Sequence, residues 1–148
     1  MLYFVEIITE NPGNLLSTLT LPWEKRNRSR LKVRLDNGDD AGIVLERGMV
    51  LRDGDLLASK DGICICVKAA MESVSTVTCS DPLDLARLCY HLGNRHVELE
   101  ISSNRLRYPH DHILDEMVRT MGFEVQVERA AFHPETGAYS HSHGHQHG

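Results

Sequence analysis

The histidines are the residues of this sequence whose type and spacing could do chemistry. Four of the nine recur at every second position of the terminal stretch SHSHGHQHG, at His141, His143, His145 and His147. Neutral imidazole is a borderline ligand that suits nickel, copper, zinc and iron. The stretch is either a purification scar, a solvated tail without a role, or a set of mobile metal ligands. Because a cloned tag is typically an unbroken run of histidines, the interrupted spacing favours an encoded segment.

A fifth histidine, His96, opens the strictly alternating run HVELEI at residues 96–101. This alternation predicts a strand with its apolar side chains, from Val97 onward, facing the core. His96 then lies on the opposite face together with Glu98 and Glu100. The residues alone leave two interpretations open: a half-exposed polar residue, or a metal ligand on an uncovered sheet face.

Two further histidines flank an aspartate in the tripeptide His110-Asp111-His112, which is predicted to open a helix ending near Met121. Side chains two positions apart on a helix point about 200° apart, so the two imidazoles cannot readily share one ion. An aspartate in the first turn is also what the helix dipole favours. Metal ligation and ordinary helix-start chemistry therefore both remain possible for this tripeptide.

The elements that must position these histidines fall into two predicted domains and a tail. Within residues 1–70, short apolar runs alternate with turn signals such as Asn37-Gly38 and Asp53-Gly54. Strands of this length and spacing predict a small N-terminal antiparallel β-domain. The tail, residues 135–148, has no charged side chain after Thr136 apart from its histidines, and this composition predicts disorder.

The second predicted domain, residues 71–134, alternates strand and helix patterns. A helix is predicted to begin at Pro82 after a capping residue and to end at Gly93 in a left-handed turn. The order β-α-β-β-α-β predicts a ferredoxin-like arrangement, with two helices on one face of a four-stranded antiparallel sheet. The fold class is therefore α+β.

Composition narrows the class of partner. The chain has 41% hydrophobic residues and no apolar run of the roughly 20 residues that span a bilayer, so we expect no membrane segment. The N-terminus has no secretory signal pattern, which favours a cytoplasmic protein. A formal net charge of −5 argues against a nucleic-acid partner, and the one basic cluster, residues 25–34, is interpreted as a solvated hairpin followed by acidic residues.

Several motifs resemble the UreE family of urease accessory proteins, which carry nickel. They are CYHLGNRH at residues 89–96, LRYPHDHILDEM at residues 106–117, FHPETGAY at residues 132–139 and AGIVLERGMVLRDGD at residues 41–55. The resemblance covers nearly the whole chain, and the GNRH sequence that ends at His96 is its most specific element. It implies a metallochaperone rather than an enzyme.

The resemblance also implies a set of ligands and partners. The protein would be a homodimer joined through the ferredoxin-like domains, with His96 of each chain at the two-fold axis holding Ni(II) as cargo. His110 and His112 would be extra ligands, and the tail histidines would complete the shell. The partners implied are an accessory GTPase and the urease apoprotein complex, with the N-terminal domain making protein contacts.

Two other functions compete with nickel delivery. A general buffer or storage protein for nickel, zinc or copper stays open, because imidazole ligands do not separate these ions and Zn(II) or Cu(II) would compete. A metal-dependent hydrolase, with His96 as ligand and Glu98 as general base, is disfavoured. Catalytic zinc sites have about three fixed protein ligands and an open position, and only one strongly placed ligand is apparent here.

Overall fold

The computed structural model describes residues 1–136, which divide into two units, Met1–Ala70 and Met71–Thr136. The described chain is of mixed α+β class and rich in strands. The strands of the first unit are β1 (Leu2–Ile8), β2 (Ser17–Leu21), β3 (Arg30–Arg34), β4 (Asp40–Val44), β5 (Leu56–Ser59) and β6 (Cys64–Ala69), with the short helix α1 (Trp23–Arg26). The elements of the second unit are β7 (Met71–Thr78), α2 (Pro82–Gly93), β8 (Glu100–Ser102), β9 (Arg105–Pro109), α3 (His112–Thr120) and β10 (Gln126–Ala131). Among these residues, no helix has the length and apolar character needed to cross a membrane.

The first unit is a six-stranded sheet in the order β2-β6-β5-β1-β4-β3. The predicted hairpin at Asn37-Gly38 is confirmed, since β3 and β4 pair antiparallel and Gly38 has a φ of 98°. The prediction of a wholly antiparallel sheet is wrong, because β1 pairs parallel with β4 and β2 pairs parallel with β6. Turn signals identify hairpins between consecutive strands, whereas parallel pairs are joined by long connections that leave no local signal.

The basic cluster at residues 25–34, predicted to be a hairpin, is only partly one. Its first part ends α1, and there Arg26 is fully buried. The Arg26 guanidinium carbon lies 5.2 Å from the centre of the Trp23 ring, and its Nε donates to the Leu21 carbonyl oxygen. The prediction of a solvated hairpin therefore holds only for the part in β3, because α1 turns one arginine towards buried Trp23.

The second unit has its strands in the order β10-β7-β9-β8, and all three pairings are antiparallel. Its core combines side chains of the sheet with side chains of both helices: Val77, Cys79, Leu88, Leu92, Leu99, Leu106, Tyr108, Leu114 and Val118. The predicted start of α2 is confirmed, since Pro82 is the first helical residue and the Asp81 carboxylate accepts from the Leu83 amide. This one core holds the segments that carry His96 and His110.

Two boundaries and one turn conformation in the second unit differ from the prediction. Helix α2 ends at Gly93 as predicted, but Gly93 is in helical conformation, and the left-handed residue is instead His96, with a φ of 58°. The strand predicted from His96 begins only at Glu100. The helix predicted from His110 begins at His112, because the Asp111 side chain caps it by accepting from the Ile113 and Leu114 amides.

Candidate metal centre

His96 lies on a tight turn that follows α2. Its amide donates to the Gly93 carbonyl oxygen over 3.0 Å, and the preceding Arg95 amide donates to the Leu92 carbonyl oxygen over 3.0 Å. The side chain is exposed. A φ of 58° is uncommon for a residue with a Cβ, although histidine adopts it more readily than most. The local backbone therefore holds an exposed imidazole at a strained position.

The turn is anchored on both sides to the second unit. Leu92 before it and Leu99 after it are buried, and Val97 packs against the same core. The Arg95 guanidinium lies 4.0 Å from the Met117 sulfur of α3. The position of His96 therefore depends on the end of α2 and on this turn, and the alternation argument that predicted it on a strand was wrong for residues 96–99.

Glu100, predicted to share an open sheet face with His96, is buried among cationic and amide donors. Its carboxylate lies 3.2 Å from Arg105 Nη2 and 3.7 Å from Arg107 Nη1, and it accepts from the His133 amide over 2.9 Å. These partners occupy both carboxylate oxygens. Glu100 is therefore part of a polar network on this sheet face.

The same network continues to the neighbouring strands. Arg107 Nη2 lies 3.2 Å from the Glu128 carboxylate, and the Thr76 hydroxyl donates to the same carboxylate. The hydrogen bond from Thr76, followed by that from Arg107, lowers the pKa of Glu128. The face of the sheet opposite the helices is thus linked by charged hydrogen bonds across β7, β9 and β10.

His110 lies just before α3 and is held by the core of the second unit. Its Nδ1 is 3.1 Å from Asp115 Oδ2 and 3.2 Å from the Ser75 hydroxyl oxygen. Its amide also donates to the Ser73 carbonyl oxygen over 3.2 Å. The imidazole is 37% exposed, whereas the Asp115 side chain is 2% exposed. One edge of the ring is therefore fixed by a buried carboxylate, while part of the side chain reaches solvent.

Asp115 has a second buried partner in Tyr108. The Tyr108 hydroxyl donates to Asp115 Oδ1 over 2.7 Å, and Tyr108 is fully buried. Burial raises the pKa of the Tyr108 phenol, and the hydrogen bond to Asp115 raises it further, because both disfavour the phenolate. The carboxylate of Asp115 thus joins β9, α3 and His110 through its two oxygens.

His112 has a different setting from His110. It is the first residue of α3 and is exposed, and the preceding Asp111 uses its carboxylate to cap the helix. Helix-start chemistry therefore accounts for Asp111. His110 precedes the helix, so the predicted separation of His110 and His112 on opposite sides of one helix does not apply.

The tail histidines, His141, His143, His145 and His147, lie outside the described residues. Within residues 1–136 of a single chain, no three side chains of the histidine, cysteine, aspartate or glutamate type come together as a metal-binding group. The described part of one chain therefore does not gather His96, His110 and His112 into one such group.

Asp115 and Tyr108 were not singled out from the sequence, although a signal for both was present. Tyr108 alternates with Leu106 along β9, which places its phenol on the core side, where a buried hydroxyl needs a partner. Asp115 follows Leu114 and precedes Val118 by three positions, so it falls on the buried side of α3. A carboxylate and a phenol both directed into one core predict a mutual hydrogen bond.

Comparison with known proteins defines the class of protein to which this fold and these histidines belong. The family model described as "UreE urease accessory protein, N-terminal domain" matches residues 5–70, and the model described as "UreE urease accessory protein, C-terminal domain" matches residues 72–148. Together they cover both structural units. The chain therefore belongs to the UreE family of urease accessory proteins, and the resemblance stated from the sequence is confirmed.

Individual relatives agree with this assignment over nearly the whole chain. A protein of Citrobacter koseri is 51% identical over 150 residues, which covers 100% of this chain and 98% of the relative. One of Escherichia coli O157:H7 is 49% identical over 149 residues, covering 99% and 96%. One of Tolumonas auensis is 57% identical over 126 residues, covering 84% and 67%. Each is named urease accessory protein UreE, which is the name of an accessory protein and not of an enzyme.

Proposed function

We propose that this protein is a nickel metallochaperone that delivers Ni(II) for assembly of the urease active site and has no catalytic activity of its own. The observation that supports this most is the exposed imidazole of His96 on a strained turn, within the GNRH sequence of a chain that belongs to the UreE family. A residue with a Cβ costs about 1–3 kcal/mol in such a conformation. An ordinary surface turn would favour glycine there, so the histidine side chain itself has the functional role.

The main site in this proposal forms between two copies of the chain. The second unit, with its strand order β10-β7-β9-β8 and two helices contributing to one core, fits the ferredoxin-like arrangement through which the homodimer would form. In a two-fold interface, one residue near the axis appears twice. Each chain would therefore contribute His96, and two imidazoles would bind one nickel ion.

Two imidazoles leave a nickel ion with open coordination positions. We propose that the tail histidines, His141, His143, His145 and His147, act as mobile auxiliary ligands at high effective concentration. His110 and His112 would be further ligands on the same unit. A site assembled from mobile imidazoles suits exchangeable cargo, and Zn(II) and Cu(II) would compete for it because they share this ligand preference.

The partners in this proposal are the urease apoprotein complex and the accessory GTPase that acts with it, in the cytoplasm. Residues 71–134 would serve metal binding and dimerisation, residues 1–70 would serve protein contacts, and residues 135–148 would be the tail. A general nickel, zinc or copper buffer is the alternative, because the ligand type is the same. The two differ in whether urease maturation depends on this protein.

Deletion of the gene in a urease-producing host tests this function. Urease activity should fall, and excess nickel in the medium should restore it. Reintroducing the wild-type gene should restore activity at low nickel, whereas a His96→Ala gene should not. A His133→Ala gene is the matched control, because His133 is also exposed and the proposal gives its side chain no ligand role. Unchanged urease activity in the deletion strain at low nickel would favour the buffer instead.

A further inference from the structure

We propose that Asp115 is a positioning residue that fixes the tautomer of His110, so that Nε2 is the atom with which His110 binds metal. This inference rests on the proposed function, because it takes His110 to be one of the nickel ligands. It adds the atom that binds and the buried group that selects it.

The contacts of the Asp115 carboxylate determine which nitrogen of His110 carries the proton. An ionised carboxylate only accepts hydrogen bonds. One oxygen accepts from the Tyr108 hydroxyl over 2.7 Å, and the other lies 3.1 Å from His110 Nδ1. Nδ1 is also hydrogen-bonded to the Ser75 hydroxyl oxygen over 3.2 Å. A protonated Nδ1 places its positive N–H edge beside the carboxylate, whereas an unprotonated Nδ1 would place a lone pair there, so the charge of Asp115 favours the proton on Nδ1. A neutral imidazole has one protonated nitrogen, so Nε2 keeps its lone pair.

The network leaves little freedom to reverse this arrangement. The Tyr108 hydroxyl is fully buried, and the Ser75 hydroxyl is hydrogen-bonded to His110 Nδ1. Ser75 and Tyr108 are opposite residues on β7 and β9, so their side chains share the helix-facing side of the sheet. The orientation of Asp115 is thus set by two strands and a helix, and the imidazole follows it.

The chemistry of metal sites explains why such a group matters. Metal-binding histidines commonly donate their other ring N–H to a carboxylate, which fixes the ring and makes the bound nitrogen more basic. Here the carboxylate is 2% exposed and the imidazole 37% exposed, so the buried partner holds one edge of the ring while the side chain stays accessible. His96 has no corresponding role in this inference, since its position comes from a backbone turn.

The first test uses nitrogen-15 spectra of the imidazole rings in the full-length, metal-free protein, with the His110 signals assigned by their loss in His110→Ala. The expected result is a ring protonated on Nδ1. In Asp115→Asn, whose amide can donate as well as accept, both tautomers should be populated. A wild-type ring protonated on Nε2 would overturn the inference without requiring any variant to fold.

The second test adds Zn(II) alone, a diamagnetic ion that also binds imidazole, and follows His110 Nε2 in the same spectra. Asp115→Asn should weaken binding at this position by about 10–100-fold, the usual effect of losing such a partner. Glu116→Gln is the matched control, because it removes an exposed carboxylate from the adjacent position of α3 and should bind as the wild type does.

The outcomes separate this inference from the proposed function. If Asp115→Asn binds Zn(II) at His110 as tightly as Glu116→Gln does, Asp115 is only a structural tie and the positioning role is wrong. If His110 does not respond to metal at all while His96→Ala loses the tightest nickel site, the inference fails and the chaperone function stands. If neither histidine responds to either ion, both are wrong.

Discussion

The two histidines that lead the candidate site are held in opposite ways. His96 is positioned by its backbone, on a left-handed turn after α2. The contacts described for its exposed side chain include no buried carboxylate. His110 is held through its side chain, by Asp115 and Ser75 within the core of the second unit. A backbone turn fixes where an imidazole lies but not how its ring is oriented, whereas a buried carboxylate selects one ring orientation.

This contrast agrees with the two different roles proposed for these histidines. In the proposed dimer, His96 would have to adjust to the same residue of the second chain, and an exposed side chain suits that. A peripheral ligand gains affinity from being preorganised, since less rotational freedom is lost on binding. The energy cost also differs, because His96 stores backbone strain and His110 is stabilised by hydrogen bonds.

Tyr108→Phe is the change with the largest expected effect on stability. It leaves one Asp115 oxygen without its hydroxyl partner inside the core, which should lower the free energy of unfolding by about 1–3 kcal/mol. Chemical denaturation followed by circular dichroism measures this. The matched control is Tyr90→Phe, which removes the same oxygen from a residue that is 66% exposed and should change little. Equal effects of the two variants would mean that the network beneath His110 is not stabilising.

Comparing His96→Gly with His96→Ala tests whether the backbone at residue 96 is strained. Both variants remove the imidazole, but only glycine accepts a φ of 58° without strain. The glycine variant should therefore be more stable than the alanine variant by about 1 kcal/mol, after allowing for the greater entropy of glycine in the unfolded chain. The same denaturation experiment decides this. An alanine variant as stable as the glycine variant would show that the turn at residue 96 is unstrained.

The smallest expected effect on stability comes from an exposed ion pair of the first unit. Arg34 Nε lies 3.3 Å from Asp40 Oδ1, and the two side chains are 72% and 64% exposed. Arg34→Ala should lower the free energy of unfolding by less than about 0.5 kcal/mol, since water and salt screen such pairs. If Arg34→Ala lowers the free energy of unfolding as much as Tyr108→Phe does, burial does not explain why the Asp115 network is strong.

Much of the fold could be predicted from the sequence, where the signal is local. The turn at Gly38 and the start of α2 at Pro82 both follow from turn and capping chemistry. The parallel pairings of β1 with β4 and β2 with β6 could not be predicted, because they join strands distant in sequence. The alternation of apolar residues also predicted a strand wrongly at residues 96–99, where these side chains pack into the core from an irregular segment.

The candidate site, too, could be predicted from the sequence only in part. His96, His110 and His112 could be singled out by residue type and by the family resemblance, and the family assignment is confirmed. The capping role of Asp111 follows from its place before a helix. The link from Tyr108 through Asp115 to His110 could not be predicted in detail, because it joins two elements whose packing sets the distances.

Calorimetric titration of Ni(II) into the full-length protein at neutral pH tests the central claim most directly, by comparing wild type with His96→Ala and with the control His133→Ala. The proposal predicts one tightest ion per two chains in the wild type and in the control, and loss of that site in His96→Ala with only weaker binding left. If His96→Ala binds nickel with the affinity and stoichiometry of the wild type, the paired His96 site does not exist and the account is wrong.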